Sequence, residues 1–285
     1  MIAMVSEVAV RSGYVAFLDA LRARGFEGEI APDYANRTVL ATDNSIYQRL
    51  PQAAVFPKHA EDLERLAKLA TELPHRDIVL TPRGGGTGTN GQSLTDGIVV
   101  DVSRHMNQIL EIDVEARRVR VQAGVVKDQL NAALKPHGLF FAPELSTSNR
   151  ATIGGMISTD ASGQGSCEYG KTRDHVLELD TVLLGGQHLH SRPLSADEEQ
   201  QAVAQSGILG QVHTTAAEII DQQRGLIEAK FPPLNRCLTG YDLAHLREAK
   251  GQLNLNSLLC GSEGSLGFLN EAVLNVLPIP KHATL

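Results

Sequence analysis

The chain has 285 residues, of which 42% are hydrophobic and 21% are charged, and its net charge at neutral pH is −7. This composition predicts a folded protein of one large or two medium lobes and excludes extended disorder. The acidic balance offers no clustered Lys and Arg surface for phosphates, so no nucleic-acid partner is expected.

The cellular compartment is indicated by the apolar runs and the cysteines. The longest apolar runs, such as IVVDV and LDTVLLGG, are far shorter than the ~20 residues of a membrane span, so none is expected. The N-terminal MIAMVSEVAVRSG has no long apolar core and no small-residue cleavage site, which favours a cytoplasmic protein. Cys167, Cys237 and Cys260 lie far apart in no C-x-x-C pattern, which suits a reducing cytoplasm and predicts no metal or cluster site held by cysteine alone.

Helical and strand-like segments alternate in the first half of the chain, which is typical of an α/β or α+β protein. The first pattern predicts a helix in YVAFLDALRARGF that stops at Gly25, followed by a strand in AAVFP. An amphipathic helix is predicted in EDLERLAKLATEL and a strand in DIVLTP. Two or three strands are predicted in GIVVDVS and ILEIDVEARRVRVQAG, with a turn at Glu115 to Arg117, and a short helix ending in glycine is predicted in KDQLNAALKPHG.

A glycine-dense loop, TPRGGGTGTNGQS, spans residues 81 to 93. GTGTNG within it matches G-x-G-x-x-G, but a Rossmann turn must open directly into a helix, and here the polar QSLTDG and another strand follow. The same region reads G-x-x-x-x-G-Q-S, a Walker A pattern with Gln92 in place of the required lysine, so nucleotide triphosphate hydrolysis is not expected. The sequence therefore predicts a strand-to-strand glycine loop whose N–H groups can face an anion.

A second segment rich in small residues begins at Pro143 and reads PELSTSNRATIGGMISTDASGQGSCEYGKTRDHV. It has few large apolar side chains to build a core, and small residues let the backbone approach a ligand closely. A long flexible loop is the alternative, but structureless loops beyond ~12–15 residues are uncommon in compact domains. We therefore predict that this segment binds a ligand.

The remaining elements are predicted from the same kinds of pattern. LELDTVLLGG predicts a strand and turn, RPLSADEEQQAVAQSG a polar connection, VHTTAAEIIDQQRGLIEAKFP a helix stopped by Pro232, and NSLLCGSEGSLGFLNEAVLNVLP a third glycine–serine cluster followed by an alternating strand. Three small-residue clusters in two lobes predict one extended ligand lying between the lobes.

TPRGGGTGTNG, ATIGGMISTDASGQGSCEYGKTRDHV and GSEGSLGF together resemble the three flavin-binding segments of the vanillyl-alcohol oxidase and p-cresol methylhydroxylase type of FAD domain. The resemblance extends from about Pro51 to the end. With YANRTVLATDNSIYQ and PELSTSNRATIGG, the chain is most similar to the N-terminal part of the large bacterial FAD and iron–sulfur D-2-hydroxyglutarate dehydrogenases; D-lactate dehydrogenases and glycolate oxidase flavin subunits are similar but less close.

The resemblance implies an α+β fold of two lobes, not a Rossmann fold. Residues 1–50 would be an N-terminal helical extension and residues 51–285 the FAD-binding domain, with lobe one at about 51–142 and lobe two at about 143–285. The cap domain, which supplies the substrate-binding and catalytic residues of this family, and the iron–sulfur region are expected to lie outside this chain, so no catalytic residue is assigned.

The family also implies which residues hold FAD. The pyrophosphate loop would comprise Arg83, Gly84, Gly85, Gly86, Thr87, Gly88, Asn90 and Gly91. The flavin and ribityl path would be lined by Pro143, Ser146, Thr147, Thr152, Gly154, Gly155, Thr159, Asp160 and Ser162, and Glu263 and Gly264 would lie near the adenosine end. Asp160 stands where many relatives have Asn.

The function implied is hydride transfer from a D-2-hydroxy acid to FAD, with D-2-hydroxyglutarate favoured and D-lactate or glycolate next; the resemblance specifies no electron acceptor. One alternative is a non-catalytic flavin subunit that relays electrons within a larger complex. Another is an NADPH-dependent FAD reductase of the UDP-N-acetylenolpyruvoylglucosamine type.

A few other residues have chemistry that could serve a site. His188 and His190 have a spacing that two metal ligands could use, but no carboxylate or third histidine is near in sequence, so solvated turn histidines are favoured and no metal site is predicted. His175 could face the cofactor, although a structural role is favoured. Some relatives tether flavin to a cysteine at the segment of Cys167, but residues 81–93 contain no His or Cys for a second tether, so FAD is expected to bind non-covalently.

Overall fold

The computed structural model describes residues 8–231 and 241–280. The chain forms two compact units, one that runs to Met106 and includes Leu184–Gly186, and one that contains the rest from Asn107. The boundary lies earlier than the predicted 142/143, because strands within residues 109–122 pair with later strands of the second unit. Both units contain helices and sheets, as predicted for an α+β protein; the sheet of the first unit is mixed, and the sheets of the second are antiparallel.

The first unit is built on a four-stranded sheet. Its elements are α1 (Ser12–Ala23), β1 (Glu29–Ala31), α2 (Tyr34–Val39), β2 (Ala53–Phe56), α3 (Ala60–Leu69), β3 (Leu80–Arg83) and β4 (Ile98–Asp101). The strand order is β1-β2-β4-β3; β1 is antiparallel to β2, whereas β2, β4 and β3 are parallel. Every residue of β2 and β4 is buried, as expected of central parallel strands.

Residues before 51 are part of this unit rather than a separate helical extension. The strand β1 pairs with β2 through Glu29 opposite Phe56 and Ala31 opposite Ala54. The helix α2, which the sequence analysis did not predict, begins where the side chain of Asp33 accepts a hydrogen bond from the N–H of Asn36. The prediction of an extension was wrong because a three-residue strand leaves little periodic signal.

The second unit is built on a five-stranded antiparallel sheet with the order β5-β6-β10-β8-β9. Its elements are β5 (Ile109–Asp113), β6 (Arg118–Gln122), α4 (Lys127–Leu134), β7 (Leu139–Phe140), α5 (Ile153–Ser158), α6 (Ser166–Tyr169), β8 (Val176–Val182), β9 (His188–Ser191), α7 (Ala196–Val203), α8 (Gly207–Lys230), α9 (Asn256–Leu259), β10 (Phe268–Asn275) and β11 (Leu277–Pro278). Along the central strand β10, buried and half-buried residues alternate, as the sequence predicted for a sheet with one face in the core.

The core of the second unit lies between one face of this sheet and the surrounding helices. Its sheet residues include Val119, Val121, Leu179, Ala272 and Leu274. The helix α5 contributes Ile153, Met156 and Ile157, which are at most 2% exposed. The segment after Pro143 was expected to lack a core of its own; instead, apolar residues at helical spacing attach it to the sheet.

The helix α7 lies where the sequence analysis predicted only a polar connection, so that prediction was wrong. Ser195 and Glu198 form a capping box, in which the Ser195 side chain accepts from the N–H of Glu198 and the N–H of Ser195 donates to the Glu198 carboxylate. The S-x-x-E signal was present in LSADEE and could have identified this helix. Hydrogen bonds from Arg192 and Ser195 lower the pKa of Glu198 to about 2.

The longest described helix, α8, begins before the predicted VHTTAAEII segment, at Gly207. The predicted stop, Pro232, lies outside the described residues. Of the helices in the described ranges, α8 included, none combines the length and apolar character needed to cross a bilayer.

We predict that Ser195→Ala lowers the free energy of unfolding by ~1 kcal/mol, because it removes the side chain that caps α7. Urea unfolding followed by circular dichroism measures the change. Ser206→Ala is the matched control, since Ser206 precedes α8 and makes no side-chain cap hydrogen bond. Equal losses in the two variants would contradict the capping role of Ser195.

Candidate functional site

The glycine loop of the first unit connects two parallel strands. Arg83 at the end of β3 pairs with Asp101 at the end of β4, and the chain between them must return to the start of β4 at Ile98. A hairpin cannot make such a connection, and a helix is the usual crossover. Residues 84–97 make it without a helix, so the loop leaves its backbone groups without intrahelical partners.

Most N–H groups of this loop face no protein acceptor. Within the described residues, none of the N–H groups of residues 84–89 donates a hydrogen bond to the protein. Gly86 and Gly91 have φ values of +61° and +76°, which side chains rarely adopt. Gly85 is exposed and lies outside the left-handed region. Consecutive N–H groups of this kind suit an anion such as a phosphate.

Arg83 has a supporting role in this loop. Its guanidinium donates to the carbonyls of Leu40 and Thr42, at 3.4 and 2.8 Å. A Cβ atom at Gly86 would lie 2.5 Å from Nη2 of Arg83, so the loop passes directly over the guanidinium. Burial lowers the pKa of Arg83, with Asp101 and Asp43 opposing that effect. The structure thus places Arg83 beneath the loop, with its hydrogen bonds directed at the backbone.

Gln92, which occupies the Walker A lysine position, packs against the same loop. Its side-chain oxygen accepts from the N–H of Asn90 at 3.1 Å. A Cβ atom at Gly88 would lie 2.6 Å from the Gln92 amide, so only glycine fits there without displacing that side chain. Thr87 is half-buried, and Asn90 is exposed at the tip. Gln92 therefore shapes the loop rather than supplying a charge.

In the second unit, α5 holds the predicted T-x-G-G residues. Thr152 caps the helix and accepts from the N–H of Gly155 at 3.2 Å. A Cβ atom at Gly154 would lie 2.8 Å from the Cβ of Ala123, whereas one at Gly155 would meet only the Thr152 hydroxyl, at 3.2 Å. Gly154 is thus required by packing against residue 123, and Gly155 is the more open of the two positions.

The stretch around α5 brings further predicted residues together. Pro143 is buried and Ser146 is exposed. The carbonyl of Thr147 accepts from the N–H of Ala151 at 2.8 Å. The hydroxyl of Thr159 donates to the carbonyl of Gly155 at 3.0 Å. These bonds order the segment, so the alternative of a flexible loop is not supported.

Ser162 supplies a polar atom that lacks a partner. Its Oγ is inaccessible to solvent yet makes no hydrogen bond within the described part of the chain. A buried hydroxyl without a partner costs free energy, which a bound ligand can recover. At the neighbouring Gly163, a Cβ atom would lie 2.1 Å from the carbonyl oxygen of Glu144, so two backbone segments approach closely here.

The third small-residue cluster lies against the C-terminal end of α5. The N–H of Gly261 donates to the carbonyl of Ile157 at 2.9 Å, and the N–H of Glu263 to that of Ser158 at 2.8 Å. Glu263 and Gly264 have φ values of +52° and +74°. The structure therefore brings the second and third predicted segments together in this unit.

A buried group of charges adjoins the end of α5. Asp160, which is 4% exposed, lies 3.1 Å from Nζ of Lys171 and 3.4 Å from Nε of Arg173, and accepts from the N–H of Arg173. Arg173 also pairs with Asp242. Asp242 in turn lies 2.7 Å from Nδ1 of His245. Each charge in this group has an opposite partner, as buried charges require.

The buried charge group also affects the pKa of His245. Burial is the main cause that lowers the pKa of His245, and the cations Arg173 and Lys171 add to it. The sequence analysis did not identify Asp242, which lies far along the chain from Lys171 and Arg173. No local pattern marks such a long-range ion pair.

The remaining candidates are structural or exposed. Nε2 of His175 lies 2.7 Å from the Tyr169 carbonyl, and its Nδ1 lies 3.4 Å from the Asn275 amide, which supports the structural reading. Cys167 is exposed on α6. Cys260 is buried, and burial raises the pKa of its thiol. Cys237 lies outside the described residues.

The comparisons with known proteins agree with this geometry. Residues 51–192 match the family described as FAD binding domain. The chain is 70% identical over its full length to a D-2-hydroxyglutarate dehydrogenase of Pseudomonas putida. It is 51% identical over 98% of its length to a D-2-hydroxyglutarate dehydrogenase of Escherichia coli. The chain spans only 28% of the length of each of these two relatives. An alkyldihydroxyacetonephosphate synthase structure matches 99% of the chain, which covers 43% of that protein, with a TM-score of 0.69 and 21% identity. The chain therefore shares the fold of this synthase structure.

We predict that Asp160→Asn lowers the free energy of unfolding by about 3 kcal/mol, because it leaves the buried Lys171 without its anionic partner. Glu218→Gln, an exposed carboxylate-to-amide change on α8, is the control and should alter stability by less than about 0.5 kcal/mol. Urea titration measures both. If Asp160→Asn is as stable as the control, the charge group does not hold the end of α5.

Proposed function

Because this chain belongs to the FAD-binding domain family, we propose that it is the FAD-binding part of a flavin-dependent dehydrogenase that oxidises a D-2-hydroxy acid. The observation that carries the proposal is the run of N–H groups at residues 84–89 that lack protein acceptors, in a loop that matches the family. The names of the relatives favour D-2-hydroxyglutarate as the substrate, with D-lactate or glycolate next.

The residues present fit FAD in both units. In the first unit, Gly84 to Gly88 would hold the pyrophosphate with backbone N–H groups, and Asn90 and Gly91 would continue the contact, with Arg83 supporting the loop from below. In the second unit, Gly155, Ser162 and the loop at Glu263 and Gly264 would contact the flavin, ribityl and adenosine parts. The unpartnered Ser162 hydroxyl and the neutral glycine loop support this assignment.

Bound FAD and the residues of this chain would have different roles in the reaction. Bound FAD would supply the acceptor for the hydride of the hydroxy acid, while the protein binds and orients the reactants. The glycine loop would bind the phosphates through hydrogen bonds from backbone N–H groups, so it would need no cationic side chain there. The charge group around Asp160 would keep the end of α5 rigid beside the cofactor.

Oxidation also requires a base and a carboxylate clamp for the substrate. Arg83 donates to two backbone carbonyls, Lys171 and Arg173 pair with buried carboxylates, and His175 contacts a backbone carbonyl. These candidates are thus committed to structural contacts. We therefore propose that the base and clamp belong to a further domain, as would any iron–sulfur cluster.

Two alternatives remain as outcomes of the tests. A non-catalytic flavin subunit would bind FAD and relay electrons without reacting with a hydroxy acid. A reductase of the UDP-N-acetylenolpyruvoylglucosamine type would accept electrons from NADPH.

We further propose a cytoplasmic location, which the free thiols of Cys167 and Cys260 support.

We predict that the chain binds FAD without a covalent bond. Residues 81–93 contain no His or Cys, and the second segment offers the exposed Cys167 as a candidate cysteine tether. Acid precipitation should release all the yellow chromophore into the supernatant. Flavin that stays in the pellet of the wild type, but not of Cys167→Ser, would show a covalent link to Cys167.

We predict that Gly85→Val weakens FAD binding by at least about tenfold, or ~1.4 kcal/mol, because a branched side chain would occupy the space of the pyrophosphate. Gly85 has an ordinary φ and is exposed, so the fold should tolerate the change. The control is Gly225→Val on α8, where a Cβ atom meets nothing within 4 Å. Flavin fluorescence titration measures the affinities. Unchanged affinity in a folded Gly85→Val protein would refute the placement of the pyrophosphate.

We predict that the FAD-loaded 285-residue chain is not reduced by D-2-hydroxyglutarate, since its candidate base and cations are engaged elsewhere. The measurement is the oxidised flavin band after anaerobic mixing. When the chain is linked to a substrate-binding domain, D-2-hydroxyglutarate should bleach the band and the L-enantiomer should not. Bleaching of the chain alone would show a complete site within it, and bleaching by NADPH would favour the reductase.

A further inference from the structure

A second cluster with binding chemistry lies on the five-stranded sheet of the second unit. Asp180 on β8 is directly opposite His190 on the edge strand β9, and His188 is opposite Val182, two residues further along β8. His188 and His190 alternate with the buried Leu189, so both imidazoles lie on the face of β9 that is away from the core. The sequence analysis favoured solvated turn histidines, but both residues lie on the strand β9, and strand pairing brings Asp180, eight residues or more away in sequence, next to them.

The three side chains converge on one point. Nδ1 of His188 lies 2.9 Å, and Nδ1 of His190 lies 3.2 Å, from Oδ1 of Asp180. Ligand atoms from the three residues all lie within 4.8 Å of one another. In a tetrahedral zinc site with bonds of ~2.0–2.2 Å, neighbouring ligand atoms are roughly 3.3–3.5 Å apart. The two nitrogen–oxygen distances are close to this spacing and the third ligand pair is at most 4.8 Å apart, so side-chain movements on the order of an ångström would admit the ion.

The carboxylate is also held in place by a neighbouring strand. Oδ2 of Asp180 accepts from the side-chain amide of Asn270, on β10, at 2.6 Å. Oδ1 faces both imidazoles, and Oδ2 also lies 3.0 Å from Nδ1 of His188. Asn270 is 3% exposed, so its amide is fixed by the surrounding packing. Such a supporting hydrogen bond is typical of metal-binding carboxylates.

The surroundings leave room for a cation and a water molecule. Asp180 and His190 border an open cleft of about 380 Å³ that is also bordered by Glu178 and Glu271. The arginines that line the cleft are all paired, Arg118 with Asp113, Arg120 with Glu271 and Arg192 with Glu198. The side chain of Asp180 is 14% exposed and that of His190 is 77% exposed, so solvent reaches the cluster from one side.

We propose that Asp180, His188 and His190 form a binding site for a divalent transition-metal ion of the zinc type. Two imidazoles and one carboxylate suit Zn²⁺, Co²⁺, Ni²⁺ or Cu²⁺, whereas Mg²⁺ and Ca²⁺ prefer oxygen ligands. Three protein ligands leave one position for water or another ligand. The ion would fasten the edge strand β9 to β8. This site is independent of the proposed flavin chemistry.

The test is a titration of the untagged, chelator-treated chain with ZnCl₂ by calorimetry, and with CoCl₂ by visible absorption. We expect one equivalent to bind, and the intensity of the Co²⁺ bands to indicate four or five ligands. Binding should weaken as the pH is lowered, because protons compete with the metal ion for the imidazoles. The FAD content, measured in parallel, should not change.

The variants His190→Ala and Asp180→Asn should each weaken Zn²⁺ binding by more than about 100-fold, since loss of a supporting group alone costs about 10- to 100-fold. His137→Ala, an exposed histidine of the same unit, is the control and should bind as the wild type does. His190 is largely exposed, so its replacement should leave the fold intact. Failure of the wild type to bind either ion, or equal binding by His190→Ala and His137→Ala, would overturn the proposal.

Discussion

The parallel pairing of β3 with β4 is the constraint on which the first unit depends. Parallel neighbours require a long return connection, and here that connection contains the glycine loop. A helix would satisfy its own N–H groups, whereas several N–H groups of this loop donate to no acceptor in the described part of the chain. The loop can remain in this form because Arg83 holds backbone carbonyls beneath it and Gln92 packs over Gly88. The proposed anion binding would thus follow from the topology of the sheet as much as from the glycines.

In the second unit, buried charges help to hold a segment that is rich in small residues. Small residues between 143 and 165 cannot fill much volume, so contacts at both ends of α5 must hold the segment. Gly154 lets the helix approach Ala123 at one end. At the other end, Asp160 binds Lys171 and Arg173, and the backbone of residues 261–263 donates to the last carbonyls of the helix. Such a frame is rigid but intolerant of losing a single partner.

The sequence predicted those features that depend on local periodicity. Alternation identified β10, and apolar spacing identified α1, α3 and α4. It missed α7 although LSADEE carries a capping box, because its polar composition outweighed the cap signal. Features that depend on pairing between distant segments could not be predicted: Asp180 meets His190 only across a strand pair, and Arg173 meets Asp242 only in the folded unit. The side chain of Arg83 shows the same limit, since the family resemblance assigned it to the pyrophosphate loop, whereas its guanidinium donates to backbone carbonyls.

The central position of β10 has a consequence for synthesis on the ribosome. β10 lies between β6 and β8, although it is formed by residues 268–275, well after both of its neighbours in the chain. Until that stretch emerges, β6 and β8 each have an unpaired edge, and strands in that condition readily associate with other chains. The first unit differs, because its four strands all lie within residues 29–101. The nascent second unit is therefore where chaperone binding would have most effect.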